Sequence, residues 1–321
     1  MAEMIALEAL TKRFGPLVAV DGITMRVARG EVLGFLGPNG AGKSTTMKMV
    51  TGFLAPTSGS ASVCGHDVSA EPVQVKRRIG YLPEGAPAYG DMTPAAFLDF
   101  IAAIRGYDGK ERRRRVDAVV DKVDLGSVLD QPVETLSKGF KCRVGLAQAF
   151  LHDPEVLILD EPTDGLDPNQ KHHVRTLIRE MAPDKAVVIS THILEEVEAV
   201  CTRAVIIAGG RLVADGTPDD LLARSPYHNA VRLTLDAEAA PAAQREIEAL
   251  AAVDRVDTVD GTGRGAGLRV VPRDGRSIAA DIGGLLRDKG YAVHEMFTEK
   301  GTLDDVFRDI TAGAAREARD A

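Results

Sequence analysis

The sequence predicts an α/β fold with a buried parallel sheet, followed by a smaller α+β domain. Three features of the 321 residues predict it. A glycine-rich loop at 37–45 joins an apolar stretch to a helical one. The wholly apolar stretches 156–159 and 186–189 are typical of strands buried on both faces. Beyond about residue 226 the pattern changes to a β-α-β-β-α-β order.

The glycine-rich loop reads GPNGAGKST. Glycines at 37, 40 and 42 let successive N–H groups point inward, and the helix that follows adds the positive end of its dipole. Such a loop binds phosphate. The alternative is a chance match, which the strand before the loop and the helix after it disfavour. The predicted nucleotide-binding residues of the loop are Gly37, Pro38, Asn39, Gly40, Ala41, Gly42, Lys43, Ser44 and Thr45.

Four side chains carry the predicted chemistry, two in the glycine-rich loop and two after the buried strand 156–159. Lys43 is expected to bridge the terminal phosphates of a nucleotide and to act in catalysis, and the Ser44 hydroxyl to ligate Mg²⁺. Asp160 and Glu161 follow the buried strand 156–159 and point to opposite sides of it. Asp160 therefore suits the Mg²⁺ shell, whereas Glu161 suits polarising a water for attack on a γ-phosphate. The alternative is a pair of acids that cap a helix.

Two side chains elsewhere are placed where a ligand could reach them. Phe14 stands in a predicted loop, residues 12–16, where an aromatic ring could stack on a purine or simply cap the core. Glu84 follows the strand-like residues 79–82, and open α/β sheets bind ligands at the carboxyl ends of their strands. A solvated carboxylate in a loop is the alternative for Glu84.

Two later positions could contact an anion. The stretch LSKGF at 136–140 opens a helix, so Ser137 is either a simple N-cap or part of a second anion site. His192 follows the buried strand 186–190, at the sheet edge where it could hydrogen-bond a γ-phosphate. An ordinary surface or core histidine is the alternative.

Composition restricts the class of partner. A net charge of −8 and a pI near 5.5 argue against nucleic acid as the main ligand. Three scattered cysteines form no metal or disulfide pattern. We expect no signal peptide and no membrane span, so that a membrane role requires a partner. The arginine run 112–115 is either a solvated helix face or a contact for acidic surfaces and lipid headgroups.

The domain organisation is predicted from these patterns. Residues 1–225 are expected to form the nucleotide-binding domain, with a helical subdomain at about 85–150. Residues 226–311 are expected to form a ferredoxin-like accessory domain that ends in an amphipathic helix. Residues 312–321 are expected to be a disordered tail. No catalytic residues are evident in the sequence of the second domain, and we expect this domain to serve regulation or dimer contact.

The order and spacing of the motifs resemble the ATP-binding subunit of ABC transporters across residues 4–225. In that family the motifs are called Walker A (37–45), the signature motif (136–140), Walker B (156–160, then Glu161), the D-loop (165–167) and the switch histidine (His192). The resemblance implies a P-loop NTPase of ABC type, with a mixed sheet core plus a helical subdomain. It also implies that Phe14 is the aromatic side chain that stacks on adenine.

The resemblance further implies the partners and the reaction. In this family two copies close head to tail, so that Ser137 and Gly139 would act on the ATP of the other copy. The chain would then be a homodimer that hydrolyses ATP with Mg²⁺. It would drive a separate integral membrane permease from the cytoplasmic face of the inner membrane, as a peripheral protein.

Two positions depart from the family pattern. Glu84 stands where a glutamine is usual, and it is implied to ligate Mg²⁺ or lie near the attacking water. Lys138 stands where glycine is common. Both variants, and the sequence LDDVF at 303–307, are similar to a branch of bacterial type-two exporters related to gliding-motility, drug and polysaccharide export. The alternatives are a soluble ABC-type ATPase of DNA repair or translation, and a P-loop kinase or transferase.

Overall fold

A computed structural model of the protein describes residues 3–86, 88–261 and 265–309. The chain divides into two compact units, Met1–Asp215 and Gly216–Ala321. The division lies earlier than the boundary we expected after residue 225. Within the second unit, residues 228–230 hydrogen-bond to residues 299–300.

The first unit contains most of the strands and helices. Through its last strand they are, in chain order, β1 (Glu3–Phe14), β2 (Leu17–Ala28), β3 (Val32–Leu36), α1 (Lys43–Val50), β4 (Ser58–Val63), β5 (His66–Asp67), α2 (Pro72–Arg78), β6 (Ile79–Leu82), α3 (Pro94–Ile104), α4 (Gly109–Lys122), α5 (Lys138–Phe150), β7 (Val156–Asp160), α6 (Pro168–Met181), β8 (Ala186–Thr191), α7 (Leu194–Val200), β9 (Arg203–Ala208) and β10 (Arg211–Gly216).

A six-stranded sheet in the order β10-β9-β3-β8-β7-β6 forms the centre of this unit. The strands β9, β3, β8, β7 and β6 run parallel to one another. All residues of β3, β7 and β8 are buried, as their continuous apolar sequences predict for strands covered on both faces. The carboxyl ends of these strands therefore meet at one edge of the sheet.

The strand order separates the phosphate loop from the acid pair. Strand β3 leads into the phosphate loop and β7 ends in Asp160, and β8 lies between these two strands. Register pairs Leu36 with Thr191 and Asp160 with Ser190. Two strand spacings, about 10 Å, thus separate the two strands, and β8 contributes its own side chains to the site.

A second sheet of this unit, in the order β2-β1-β4-β5, positions Phe14. The loop expected at 12–16 is shorter in the structure. Strand β1 pairs with β2 up to Phe14 and Leu17, so that the turn consists of two residues. Gly15 has a φ of 57°, which suits this tight turn. Phe14 therefore ends a strand instead of standing within a loop.

Helices α3, α4 and α5 fall within the range expected for a helical subdomain, and their apolar faces join one core. Three of the four arginines of the run on α4 have carboxylate partners. Glu111 accepts hydrogen bonds from Arg114 and Arg115, which lower its pKa to about 2, and Arg112 lies 3.1 Å from Asp99. These pairs favour the solvated helix face over a contact for acidic surfaces.

The second unit has the predicted β-α-β-β-α-β order after one short helix. Its elements are α8 (Pro218–Leu222), β11 (Val231–Asp236), α9 (Ala240–Glu248), β12 (Val253–Val259), β13 (Gly265–Pro272), α10 (Ala279–Asp288) and β14 (Val293–Thr298). The strands form an antiparallel sheet in the order β12-β13-β11-β14. Residues 303–309 are helical, whereas residue 310 and the predicted tail lie outside the described residues.

Among the residues that the structure describes, none of the helices combines the length and the apolar character that crossing a bilayer requires.

Candidate functional site

A cleft of about 490 Å³ lies at the carboxyl edge of the central sheet. It brings together the phosphate loop, the aromatic residue of the β1–β2 turn and two of the predicted carboxylates. The predicted site residues that line it are Phe14, Asn39, Gly40, Gly42, Lys43, Ser44, Thr45, Glu84 and Glu161. Gly37, Pro38 and Ala41 belong to the same loop but do not line the cleft.

The glycines of the phosphate loop are required by the backbone geometry and by close neighbours. Gly42 has a φ of 107°, and a Cβ atom there would lie 2.4 Å from the carbonyl oxygen of Ala19. A Cβ atom on Gly37 would lie 2.6 Å from the carbonyl oxygen of Ile207. Both positions therefore exclude side chains. The loop lies against β2 and β9, and α1 begins directly after Gly42.

The Lys43 ammonium lies within this loop. Its Nζ donates to the carbonyl oxygens of Gly37, at 2.7 Å, and Pro38, at 3.3 Å. Burial lowers the pKa of Lys43, and the nearby negative charges of Glu161, Asp160 and Glu84 oppose that shift. The amino group of Lys43 thus lies against the loop, in the same cleft as Glu84 and Glu161.

The consecutive acids Asp160 and Glu161 occupy different environments. Asp160 is 2% exposed, and its carboxylate accepts a hydrogen bond from the Ser190 hydroxyl on β8. Glu161 has a φ of 49°, in the left-handed region, and its N–H donates to the carbonyl of Ser190 at 3.0 Å. This backbone turn directs Glu161 into the cleft, while Asp160 lines a smaller cavity beside it.

His192 holds the Glu161 carboxylate. Its Nδ1 lies 3.1 Å from Oε1 of Glu161. The Glu161 side chain is 15% exposed and that of His192 is 44% exposed. Glu161 lines the cleft, whereas His192 contacts Glu161 without lining the cleft itself. The predicted catalytic residues Lys43, Glu161 and His192 are therefore gathered at one sheet edge, from three different elements.

The oxygen atoms near the loop have the chemistry that Mg²⁺ prefers. Ser44, Glu84 and Asp160 provide a hydroxyl and two carboxylates, which are hard oxygen ligands. Ser44 and Glu84 line the cleft, and Asp160 and Glu84 line the smaller cavity next to it. The donor set fits magnesium at the boundary between the two.

The family follows from comparison with known proteins. Residues 20–164 match the ABC transporter family. Over 313 residues the chain is 34% identical to a daunorubicin/doxorubicin resistance ATP-binding protein of Streptomyces peucetius, covering 97% of this chain and 93% of the relative. The chain belongs to the ABC transporter family of ATP-binding proteins. The family predicted from the motifs is confirmed.

Two further matches define how far the likeness of this ABC protein extends. It is 37% identical over 226 residues to a probable multidrug ABC transporter ATP-binding protein of Escherichia coli, covering 69% of this chain but only 38% of that relative's length. A solved ATP-binding subunit of an ABC transporter shares 33% identity with a TM-score of 0.63, over 68% of this chain and 91% of that subunit. The predicted fold class, an α/β ABC cassette that binds nucleotide, is confirmed.

The signature motif of this ABC protein does not line the cleft. The Ser137 hydroxyl caps α5, accepting from the N–H of Phe140 at 3.4 Å. Gly139 is buried, and a Cβ atom there would lie 2.5 Å from the side chain of Gln170. Neither residue lines the phosphate cleft of its own chain. Their predicted role toward a nucleotide of another copy stays a prediction.

Sequence reasoning missed two residues of the site. Ser190 donates a hydrogen bond to Asp160. In the sequence, its position at the end of a buried strand was the feature that could have indicated a role in the site. That feature becomes informative once β8 is known to pair with β7. Asp164 lies between Walker B and the D-loop, and one ligand atom each of Asp164, Glu161 and His192 lie within 4.8 Å of one another. A hydrogen bond from Lys138 lowers the pKa of Asp164.

Proposed function

We propose that this ABC protein is the ATP-hydrolysing subunit of an exporter, which binds MgATP in the described cleft and drives a separate membrane permease. One observation carries the proposal: the phosphate loop with Lys43 and the carboxylate Glu161, turned toward it by a left-handed backbone, line the same cleft. A triphosphate on the loop would therefore direct its terminal phosphate toward Glu161.

The residues of the loop would bind and orient the triphosphate. The N–H groups at the start of α1 would face the phosphates, and the ammonium of Lys43 would exchange its contacts with loop carbonyls for the terminal phosphates. Ser44, Asp160 and Glu84 would hold Mg²⁺. When bound, Mg²⁺ supplies positive charge that neutralises the β- and γ-phosphate oxygens.

Glu161 would orient the attacking water and accept its proton. Positioning and charge supply most of the catalysis in phosphoryl transfer, so Glu161 would act through the orientation of its carboxylate and through its negative charge. His192 holds Glu161 at 3.1 Å and leaves its second ring nitrogen for the γ-phosphate. The two side chains would thus act as one catalytic pair.

Phe14 would bind the base of the nucleotide. Its ring is 47% exposed at the rim of the cleft, and the ammonium of Lys12 lies 5.2 Å from the ring centre. An exposed aromatic face offers a purine a stacking partner, and in this position it would fix the end of the nucleotide opposite the phosphates.

A second copy of the chain would complete each site. Ser137 stands exposed at the N-terminus of α5 and does not line its own cleft. Backbone N–H groups at a helix start bind phosphate, so this motif is suited to the nucleotide of another chain. We infer a head-to-tail homodimer with two equivalent sites, in which Ser137 and Gly139 contact the γ-phosphate held by the partner.

The permease would dock on an apolar groove of about 590 Å³ between α2 and α3. Phe53, Val73 and Ile104 border this groove and are 73%, 61% and 66% exposed. Solvent-exposed apolar side chains of this size around one groove mark an interaction surface. We assign it to a segment on the cytoplasmic side of the permease, which would place the protein at the cytoplasmic face of the inner membrane.

Co-purification from detergent extracts tests the proposed contact with a permease. The tagged protein should co-purify with a multi-span membrane protein, whereas the double variant Phe53→Ser/Ile104→Ser should lose it and still bind ATP. A variant at another exposed apolar position, Val293→Ser, is the control. Co-purification with nucleic acid or ribosomes instead would support the soluble ABC-type ATPase and contradict the transporter.

Replacing the proposed base tests the reaction. Glu161→Gln keeps the shape of the side chain but cannot take a proton, so ATP turnover should fall by roughly 100-fold or more while ATP still binds. Glu198→Gln, an exposed glutamate on the nearby helix α7, is the matched control. Phosphate release and equilibrium ATP binding are the measurements. A Glu161→Gln protein that turns over ATP at the wild-type rate would contradict the assignment.

A further inference from the structure

A second cavity, of about 160 Å³, lies beside the phosphate cleft and concentrates charge. Carboxylates that share a small cavity repel one another, so the placement of nearby cations controls how the acidic side chains are arranged. The cavity is lined by four carboxylates, from Glu84, Asp160, Glu161 and Asp164, and by two ammonium groups, from Lys138 and Lys141.

The two lysines of this cavity have different partners. Nζ of Lys138 donates to Oδ2 of Asp164 at 2.7 Å. Nζ of Lys141 donates to the backbone carbonyl of Glu134 at 2.9 Å. Lys138 therefore neutralises a carboxylate of the cavity directly, and Lys141, three residues away on the same helix, does not.

The Lys138 side chain is fitted against the backbone that follows Glu161. A Cβ atom on Gly165 would lie 2.3 Å from Nζ and 2.8 Å from Cδ and Cε of Lys138. Gly165 adopts a φ of 65°, so this turn depends on glycine for its conformation as well as for space. The lysine thus contacts both the side chain of Asp164 and the turn beside it.

Asp164 connects this contact to the proposed catalytic pair. Its N–H donates to the carbonyl oxygen of Glu161 at 3.2 Å. One ligand atom each of Asp164, Glu161 and His192 also lie within 4.8 Å of one another. A displacement of Asp164 would therefore move Glu161 through the backbone and through the local charge.

We propose that Lys138 is a positioning residue for ATP hydrolysis, which holds Asp164 and thereby keeps Glu161 and His192 aligned without contacting the nucleotide of its own site. The inference rests on the proposed function and adds a role for one residue within it. Because Lys138 follows Ser137 directly, the lysine would also connect the motif that reaches the partner's ATP to the catalytic pair of its own chain.

Steady-state kinetics on the full chain test this role. Lys138→Gln removes the charge at a side chain that is 60% exposed, so thermal unfolding should be unchanged. A small displacement of the catalytic carboxylate lowers kcat strongly, here by roughly 10- to 100-fold, while KM for ATP stays within about twofold. Lys138→Arg should restore most of kcat, and the matched control Lys141→Gln should behave as wild type.

A double-mutant cycle isolates the pair. Asp164→Asn should lower kcat to the same degree as Lys138→Gln, and the double variant should lose no more than either single variant. Losses that multiply would show that the two residues act independently, and they would overturn the proposal.

The split between kcat and KM separates the remaining outcomes. If Lys138→Gln raises KM and leaves kcat unchanged, Lys138 contacts the nucleotide and the proposal is wrong. Full activity of Lys138→Gln beside an active wild type would overturn this inference alone. A wild-type chain that does not hydrolyse ATP would contradict the proposed function, and this inference with it.

Discussion

At the scale of single residues, the site depends on the backbone conformation of two positions. Gly42 and Glu161 both have positive φ values, one at the start of α1 and the other directly after β7. The first lets the phosphate loop close against Ala19, and the second turns a carboxylate into the cleft next to a buried one. A non-glycine residue in the left-handed region costs free energy, which the hydrogen bond from the Glu161 N–H to Ser190 helps to offset.

The residues that the sequence indicates most directly lie in short contiguous motifs. The phosphate loop and the pair Asp160–Glu161 each form one short stretch, so their pattern survives without a structure. Lys138 and Asp164 are 26 positions apart, and their contact depends on how α5 packs beside the end of β7. The roles of the individual residues in ATP binding and hydrolysis stay predictions.

Phe14 allows a test at this scale. Loss of a stacked ring costs about 0.5–1.5 kcal/mol, so Phe14→Ala should raise the Kd for ATP by between about 2- and 12-fold. Titration with a fluorescent ATP analogue measures the change. Phe14→Tyr keeps the ring and should bind as wild type, whereas an unchanged Kd for Phe14→Ala would assign the ring to core capping.

At the scale of elements, strand order decides which side chains meet. The apolar sequences of β3, β7 and β8 predict buried parallel strands, and the structure agrees. Sequence periodicity contains no information on which of these strands are neighbours, because burial on both faces looks the same at every interior position of the sheet. The position of β8 between β3 and β7, which brings Ser190 to Asp160, could therefore not be predicted.

The junction between α5 and β6 gives a pH-dependent prediction. His152 lies just after α5, and its Nε2 contacts the carbonyl of Ile79 at 3.0 Å, while its Nδ1 is buried without a hydrogen-bond partner. Burial, together with the positive charge of Arg105, lowers the pKa of His152 from 6.5 to about 4. The folded state thus requires the neutral imidazole.

The sign of the pH effect follows from this shift. Between about pH 4 and 6.5 the unfolded chain binds the proton and the folded chain does not, so stability from His152 is present above pH 6.5 and lost as the pH falls toward 4. From pH 8 to pH 5 the free energy of unfolding should drop by about 2 kcal/mol on this account. Between the same two pH values, the free energy of unfolding of His152→Gln should fall by about 2 kcal/mol less than that of wild type, as measured by urea denaturation. Equal losses in the two proteins would contradict the assignment.

At the scale of the whole molecule, the central proposal is that a complete site needs two chains. Each chain has one phosphate loop with its proposed catalytic pair, and its Ser137 is exposed outside its own cleft. Binding of ATP between the two copies would couple nucleotide state to their association, because the γ-phosphate supplies contacts that ADP lacks. Closing and reopening would then be the motion passed to the permease.

The mass of Glu161→Gln in solution with saturating MgATP tests this claim most directly. By light scattering after size exclusion, we expect twice the 34.2-kDa chain mass with MgATP and the single-chain mass without nucleotide. The added substitution Lys43→Ala should abolish the increase, because the loop then loses the charge that holds the terminal phosphates. A protein that binds ATP and stays at the single-chain mass, or a Lys43→Ala protein that dimerises equally well, would contradict the account.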